Sequence, residues 1–181
     1  MRLITKCLLI ALLFGCQDIM AQTVDTTAML VGFWKFDKVL NTEGVEVEEI
    51  TKQLPNGQTL SQKTNQPHIL LRGDGQYAKV FFVGDSILNI DRGQWKLASN
   101  NHVDFTMVIP SDSRQALLIK ASIEAGIGKW KKDEHGNFLD MHDQHIISIS
   151  TEELTLSTNE NLSAKYNRVY TLQELDLKIF N

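Results

Sequence analysis

The densest group of side chains able to do chemistry is Asp140-Met141-His142-Asp143-Gln144-His145, with His135 a few residues earlier. Imidazole and carboxylate suit zinc, copper or nickel. A metal needs its ligands to converge, and His142 and His145 stand three residues apart. On a strand that spacing puts them on opposite faces. They could meet only in a turn, helped by Asp140 or His135, so the expectation is a solvated hairpin tip and no metal site. Catalytic signatures are also missing: there is no Gly-x-Ser-x-Gly elbow, no His-Glu-x-x-His and no phosphate-cradling glycine loop. Glu46, Glu48 and Glu49 read as a solvated charge run. The residues offer little for catalysis, and the expectation is a protein that is not an enzyme and takes no cofactor.

Charge narrows the partners. The formal net charge is -4 over 181 residues, and the densest basic cluster is Lys129, Lys131 and Lys132 around Trp130. A nucleic-acid binder needs a basic face, so nucleic acid is excluded as a partner. Hydrophobic content of 43% and charged content of 22% are ordinary for one globular domain with a sizeable core.

Residues 1–21 read as a secretory signal. Arg2 and Lys6 form the positive start, Leu8–Phe14 the apolar run, and Ile19-Met20-Ala21 a small-residue cleavage site. The run is too short for the roughly 20 apolar residues that span a bilayer. Two readings of its processing compete. Cleavage after Ala21 leaves a domain of residues 22–181, exported to the periplasm or beyond. Leu13-Phe14-Gly15-Cys16 instead resembles a lipobox, which would anchor the protein to the outer membrane through Cys16. Cys7 and Cys16 are the only cysteines, so cleavage after Ala21 leaves no disulfide, and the core alone must hold the fold.

From Leu30 onward short apolar stretches alternate with turn signals, which predicts an all-β fold. The predicted strands are Leu30–Leu40, Pro67–Arg72, Gln76–Val83, Ser86–Ala98, His102–Ile109, Ala116–Ser122, Gly128–Lys132, Asn137–Met141, Ile146–Ser150, Leu154–Ser157 and Lys165–Leu172. Alternation is clearest in His102–Ile109, where Val103, Phe105, Met107 and Ile109 share one face. Asn41–Asn65 is polar and predicts one weak strand around Val45 and Val47, then a long loop. Glu174–Asn181 reads as a last strand or a short helix.

Four features bear a resemblance. Gly32-Phe33-Trp34 is a Gly-x-Trp on the first strand, Asp74-Gly75-Gln76-Tyr77 opens a middle hairpin, Gly93-Gln94-Trp95 opens another strand, and Tyr166-Asn167-Arg168-Val169-Tyr170 stands near the end. Together they resemble the secreted lipocalin-like domains of Bacteroidetes-type bacteria. The resemblance implies a single antiparallel up-and-down β-barrel over Leu30–Leu172. It implies structural roles for Gly32, Trp34 and Arg168, with Arg168 packed across the Trp34 indole at the closed end. It also implies a small hydrophobic or amphipathic ligand inside. Phe36, Tyr77, Phe81, Trp95, Phe105, Met107 and Trp130 are the large groups available to line such a cup. The same side chains could simply fill the interior, which would leave the outer surface or the loops to act as an interaction module.

Overall fold

A computed structural model describes residues 25–53, 57–84, 86–98, 101–159 and 161–170. The signal segment, Cys16 and the tail Glu174–Asn181 lie outside the described residues. The described chain opens on a one-turn helix, α1 (Thr26–Leu30), capped by the Asp25 carboxylate accepting from the Thr27 N–H at 2.9 Å. Then come β1 (Gly32–Asn41), β2 (Glu49–Gln53), β3 (Thr59–Lys63), β4 (His68–Leu71), β5 (Gln76–Val83), β6 (Ser86–Ala98) and β7 (His102–Ile109). Helix α2 (Arg114–Glu124) precedes β8 (Lys131–Lys132), β9 (Phe138–Ile149), β10 (Glu153–Asn159) and β11 (Leu162–Val169).

Eight strands close a barrel in the order β1, β4, β5, β6, β7, β9, β10, β11 and back to β1, every pairing antiparallel. Each strand lies beside the next of these eight along the chain, so the barrel is up-and-down. Strands β2 and β3 form a separate hairpin, and β8 adds a short rung to β9. Side-chain alternation carries the closure. Val103, Phe105 and Ile109 of β7 are buried while Val108, between them, is exposed. Gly75, at φ +82, makes the β4–β5 turn, where Asp74 accepts from the Gln76 N–H at 3.0 Å.

The interior packs Leu30, Trp34, Ile69, Leu71, Tyr77, Trp95, Val103, Phe105, Ile146, Leu154, Leu156, Ala164 and Tyr166 into one buried cluster. A smaller cluster joins α2 to the barrel rim, with Ala116 and Ile119 against Ile109 and Phe138.

Several sequence expectations are corrected. Ala116–Ser122 is not a strand but part of α2. Ser113 caps it by accepting from the Ala116 N–H at 3.1 Å, and Ala116 and Ile119, three apart, face the rim as a helix requires. Asn137–Met141 and Ile146–Ser150 are one strand, so Asp140–His145 is no hairpin tip. The pairing with β7 runs unbroken from His102↔His145 to Ile109↔Phe138. Gly128–Lys132 shortens to β8, and Asn41–Asn65 holds the exposed β2–β3 hairpin in place of a long loop. Glu49 belongs to β2 and hydrogen-bonds the Ser61 hydroxyl at 2.6 Å.

Candidate functional site

The two ends of the barrel differ in kind. At one end α1 plugs the opening. The Trp34 indole N–H donates to the Leu30 carbonyl at 2.7 Å, and Trp34 is fully buried. Arg168, paired with Trp34 in the β1–β11 register, stacks its guanidinium 4.3 Å from the indole centroid. Its Nη1 donates to the Val31 carbonyl at 3.0 Å, and its Nη2 donates to the Met29 carbonyl. Gly32 leaves room for this arm, since a Cβ there would stand 3.1 Å from Nη1. Trp95 extends the seal by donating its indole N–H to the Arg72 carbonyl at 2.9 Å.

At mid-height, on the β5–β6–β7–β9 side, the inner wall turns polar. The register puts Lys79 opposite Asp91, Phe105 opposite His142, Met107 opposite Asp140 and Val103 opposite Gln144, all facing inward. The Lys79 ammonium contacts His142 Nε2 and lies 4.3 Å from the Phe105 ring centroid. The His142 ring stacks on Phe105, with the centroids 5.2 Å apart and the planes only 17° from parallel. No ion pair among the described residues involves Lys79. Burial pushes its pKa down to about 8, against the pull of the Asp140 and Asp91 carboxylates. Burial and then the Lys79 charge hold His142 below the usual histidine range, so its imidazole is neutral at pH 7. Tyr77 is pushed up to about 12, by burial first and the same two carboxylates after. Asn89 donates to Asp91 at 2.9 Å, and the buried Gln144 Oε1 accepts no hydrogen bond. This constellation offers an ammonium, a neutral imidazole and two carboxylates within one apolar wall. It can donate to and accept from the polar end of a ligand.

The residues named from sequence divide along the same line. Tyr77, Trp95 and Phe105 are enclosed by the core, whereas Phe36, Phe81 and Met107 are only partly buried. Phe36 packs edge-on against Tyr166 at 5.9 Å. Trp130 stands in the segment before β8, edge-on to Phe138 at 6.5 Å, and helps line a surface depression of about 340 Å3 with Lys129, Lys131, Leu139, Asp140 and Met141. His142 points inward and His145 outward, and His135 is exposed in the β8–β9 turn. Among the described residues no group of three or more histidines, cysteines and carboxylates is placed to hold a metal. Lys79 and Asp91 were missed. The signal that could have found Lys79 is a lysine sharing the inward face of β5 with Tyr77 and Phe81.

On the outer surface, two adjoining depressions of about 560 and 660 Å3 flank the β10–β11 turn and share Asn159, Asn161 and Leu162. Among the described residues no helix is long and apolar enough to cross a membrane.

No family model matches this chain, and no curated protein does. Two solved structures are similar to it. One is a lipocalin-like protein from Bacteroides uniformis, at a TM-score of 0.44 and 12% identity, covering 78% of this chain and 99% of that one. The other is an uncharacterized protein from Bacteroides eggerthii, at a TM-score of 0.42 and 14% identity, covering 77% of this chain and 98% of that one. The fold of this chain is a closed up-and-down antiparallel barrel of eight strands, plugged at one end by α1.

Proposed function

We propose that the protein is a non-catalytic binder of the cell envelope that holds one small amphipathic molecule in the open half of the barrel. The observation that carries this reading is Lys79. It faces inward, lacks a carboxylate at ion-pair distance among the described residues, and keeps a partly buried ammonium against Phe105 and His142. Holding an ammonium there costs free energy, which a ligand's polar end would repay. The apolar part of the molecule lies against Phe36, Phe81 and Met107, stabilised by roughly 25 cal/mol per Å2 of buried apolar surface. Tyr77, Trp95 and Phe105 form the floor beneath it, with Trp130 outside at the rim. The chain reaches its compartment through residues 1–21 and begins at Gln22. The alternative start is a lipid-bearing Cys16.

Native mass spectrometry of the protein, purified without dialysis, reads both the starting residue and any bound mass. Calorimetry with a ten-carbon alcohol, acid and amine then separates tail from head. At least one of the three is expected to bind at one per barrel, with Lys79→Gln changing the order of preference among the heads. Absence of a bound mass together with no binding of any of the three refutes the reading. A second reading, an interaction module acting through its surface, is favoured by the two depressions beside the β10–β11 turn. It predicts a bound protein or glycan instead.

A further inference from the structure

A helix laid on a protein normally turns its apolar side chains inward and its polar ones to water. Helix α2 departs from this. Its inward side is Ala116 and Ile119, which pack on the barrel rim. At 3.6 residues per turn Leu118 stands on the side away from them, with Leu117 beside it. These two leucines are 68% and 61% exposed. Ala121 and Ala125 continue the outward face and are exposed as well. Ile127, in the connection after the helix, is 71% exposed.

Position and charge say what this face meets. The strands alternate up and down, so the β5–β6 turn and the β7–β9 connection that holds α2 emerge together, at the end away from the α1 plug. There the β5–β6 hairpin exposes Val83 and Leu88. The charges beside the apolar face are mainly positive. Between Ser111 and Lys132 stand Arg114, Lys120, Lys129, Lys131 and Lys132 against Asp112 and Glu124, in a chain of net charge -4. All five cations are exposed, and none is ion-paired among the described residues. Asp133, which follows them, is turned in on the Asn137 side chain and main-chain N–H.

We propose that the open end of the barrel docks on an anionic lipid surface through α2 and the connection after it. Leu117, Leu118 and Ile127 enter the headgroup layer, while the cations keep their charged ends at the lipid phosphates. An exposed apolar patch rimmed by charge marks a contact site, and the sign of the rim selects the partner. A second copy fits less well, because a two-fold contact would set the five cations against their own copies. The docking rests on exposed groups alone and holds with or without a ligand inside. Its effect is to bring the open mouth of the barrel to the lipid.

Vesicles of phosphatidylcholine with a third phosphatidylglycerol, against phosphatidylcholine alone, test this by co-sedimentation. The protein carries Cys16→Ser, so that no acyl chain contributes. It should bind the anionic vesicles at least about tenfold more tightly than the neutral ones, and less tightly as salt rises. Leu117→Gln with Leu118→Gln should weaken that binding at least about tenfold. Lys129→Gln with Lys131→Gln should weaken it by a similar factor at low salt. Ile147→Gln, at a comparably exposed side chain of β9, should change nothing. All these positions are exposed, so the urea midpoint should hold. Should the double leucine variant unfold, Ile127→Gln, outside the helix, carries the same test. Failure to bind anionic vesicles overturns the proposal, and so does undiminished binding by the leucine variant. A leucine variant that loses self-association in sedimentation velocity while keeping vesicle binding also overturns it, and gives the face to a second copy.

Discussion

The contact between Arg168 and Trp34 can be tested without altering any charge, by combining Arg168→Lys with Trp34→Phe. Arg168 makes three contacts at the plug: the 4.3 Å stack on the indole, the 3.0 Å bond to the Val31 carbonyl, and the bond to the Met29 carbonyl. A lysine ammonium lacks the fork that reaches both carbonyls at once. It forfeits one charge-assisted bond, about 1.5–3 kcal/mol, and the planar stack, about 0.5–2 kcal/mol. One effect runs the other way: Arg168 Nε is buried without a hydrogen-bond partner, and lysine removes that donor, returning about 1 kcal/mol. The net expectation for Arg168→Lys is a loss of about 2–3 kcal/mol. Trp34→Phe strands the Leu30 carbonyl, whose 2.7 Å partner is the indole N–H. That costs about 1–3 kcal/mol before any lost packing is counted. In the double variant the stack can be lost only once, so the two losses should fall short of additive by about 0.5–2 kcal/mol. Urea denaturation of the four proteins at one pH gives the coupling. A coupling below about 0.5 kcal/mol, the usual scatter for independent sites, refutes the claim that the stack holds the plug.

Two further outcomes follow from the packing and the titrations. A Cβ at Gly93 would fall on the Thr106 carbonyl oxygen and stand 2.7 Å from Tyr77 Cε1. Gly93→Ala should therefore destabilise by about 3 kcal/mol, the upper end for overpacking, and a denaturation midpoint near wild type would show that β6 and β7 are not packed this closely. Acid should weaken the fold through His68 and His142, both held below the usual histidine pKa by burial first, then by Lys35 for His68 and Lys79 for His142. The folded state binds these protons less readily than the unfolded chain. Their contribution is complete above about pH 6.5 and is lost as pH falls from there through the lower folded values. His68 Nδ1 accepts the Phe36 N–H at 3.0 Å, a role protonation abolishes. Denaturation at about pH 7.5 and pH 5 should thus show a drop that His68→Gln reduces, and an unchanged drop in that variant would remove His68 from the account.

Much of the fold was legible because single strands carried their own pattern. His102–Ile109 alternates cleanly, and β5, β6 and β7 keep the boundaries their turn residues announce. The failures have physical causes. Ala116–Ser122 is a short apolar run, and periodicity cannot tell a buried strand from a helix at that length. The decisive cue was Ser113, a capping residue just before Arg114. Strand β9 was broken in two because Asp140, His142 and Gln144 look like surface residues. Nothing local reveals that their partners are Lys79 of β5 and the face of Phe105. The contact from Lys79 to His142 spans 63 residues of sequence, and only closure of the barrel creates it. The aromatic candidates were chosen by size, which finds the floor of the cup better than its polar wall.

Closure also explains why the two halves of the interior differ so sharply. At the plugged end the two indole N–H groups and both terminal nitrogens of the guanidinium donate to main-chain carbonyls of α1, Val31 or the β4–β5 turn, and Arg168 Nε alone is left over. These bonds are made within the chain and need no ligand. On the β5–β6–β7–β9 wall the accounting is incomplete. Lys79 has a neutral imidazole for its polar partner, and Gln144 Oε1 has none. A stability requirement alone would favour apolar side chains at these positions, as it did at Ile69, Leu154 and Leu156, which are nearly fully buried on the other strands. An ammonium held by an imidazole beside an amide oxygen with no partner is the arrangement expected of a surface completed by something that binds there.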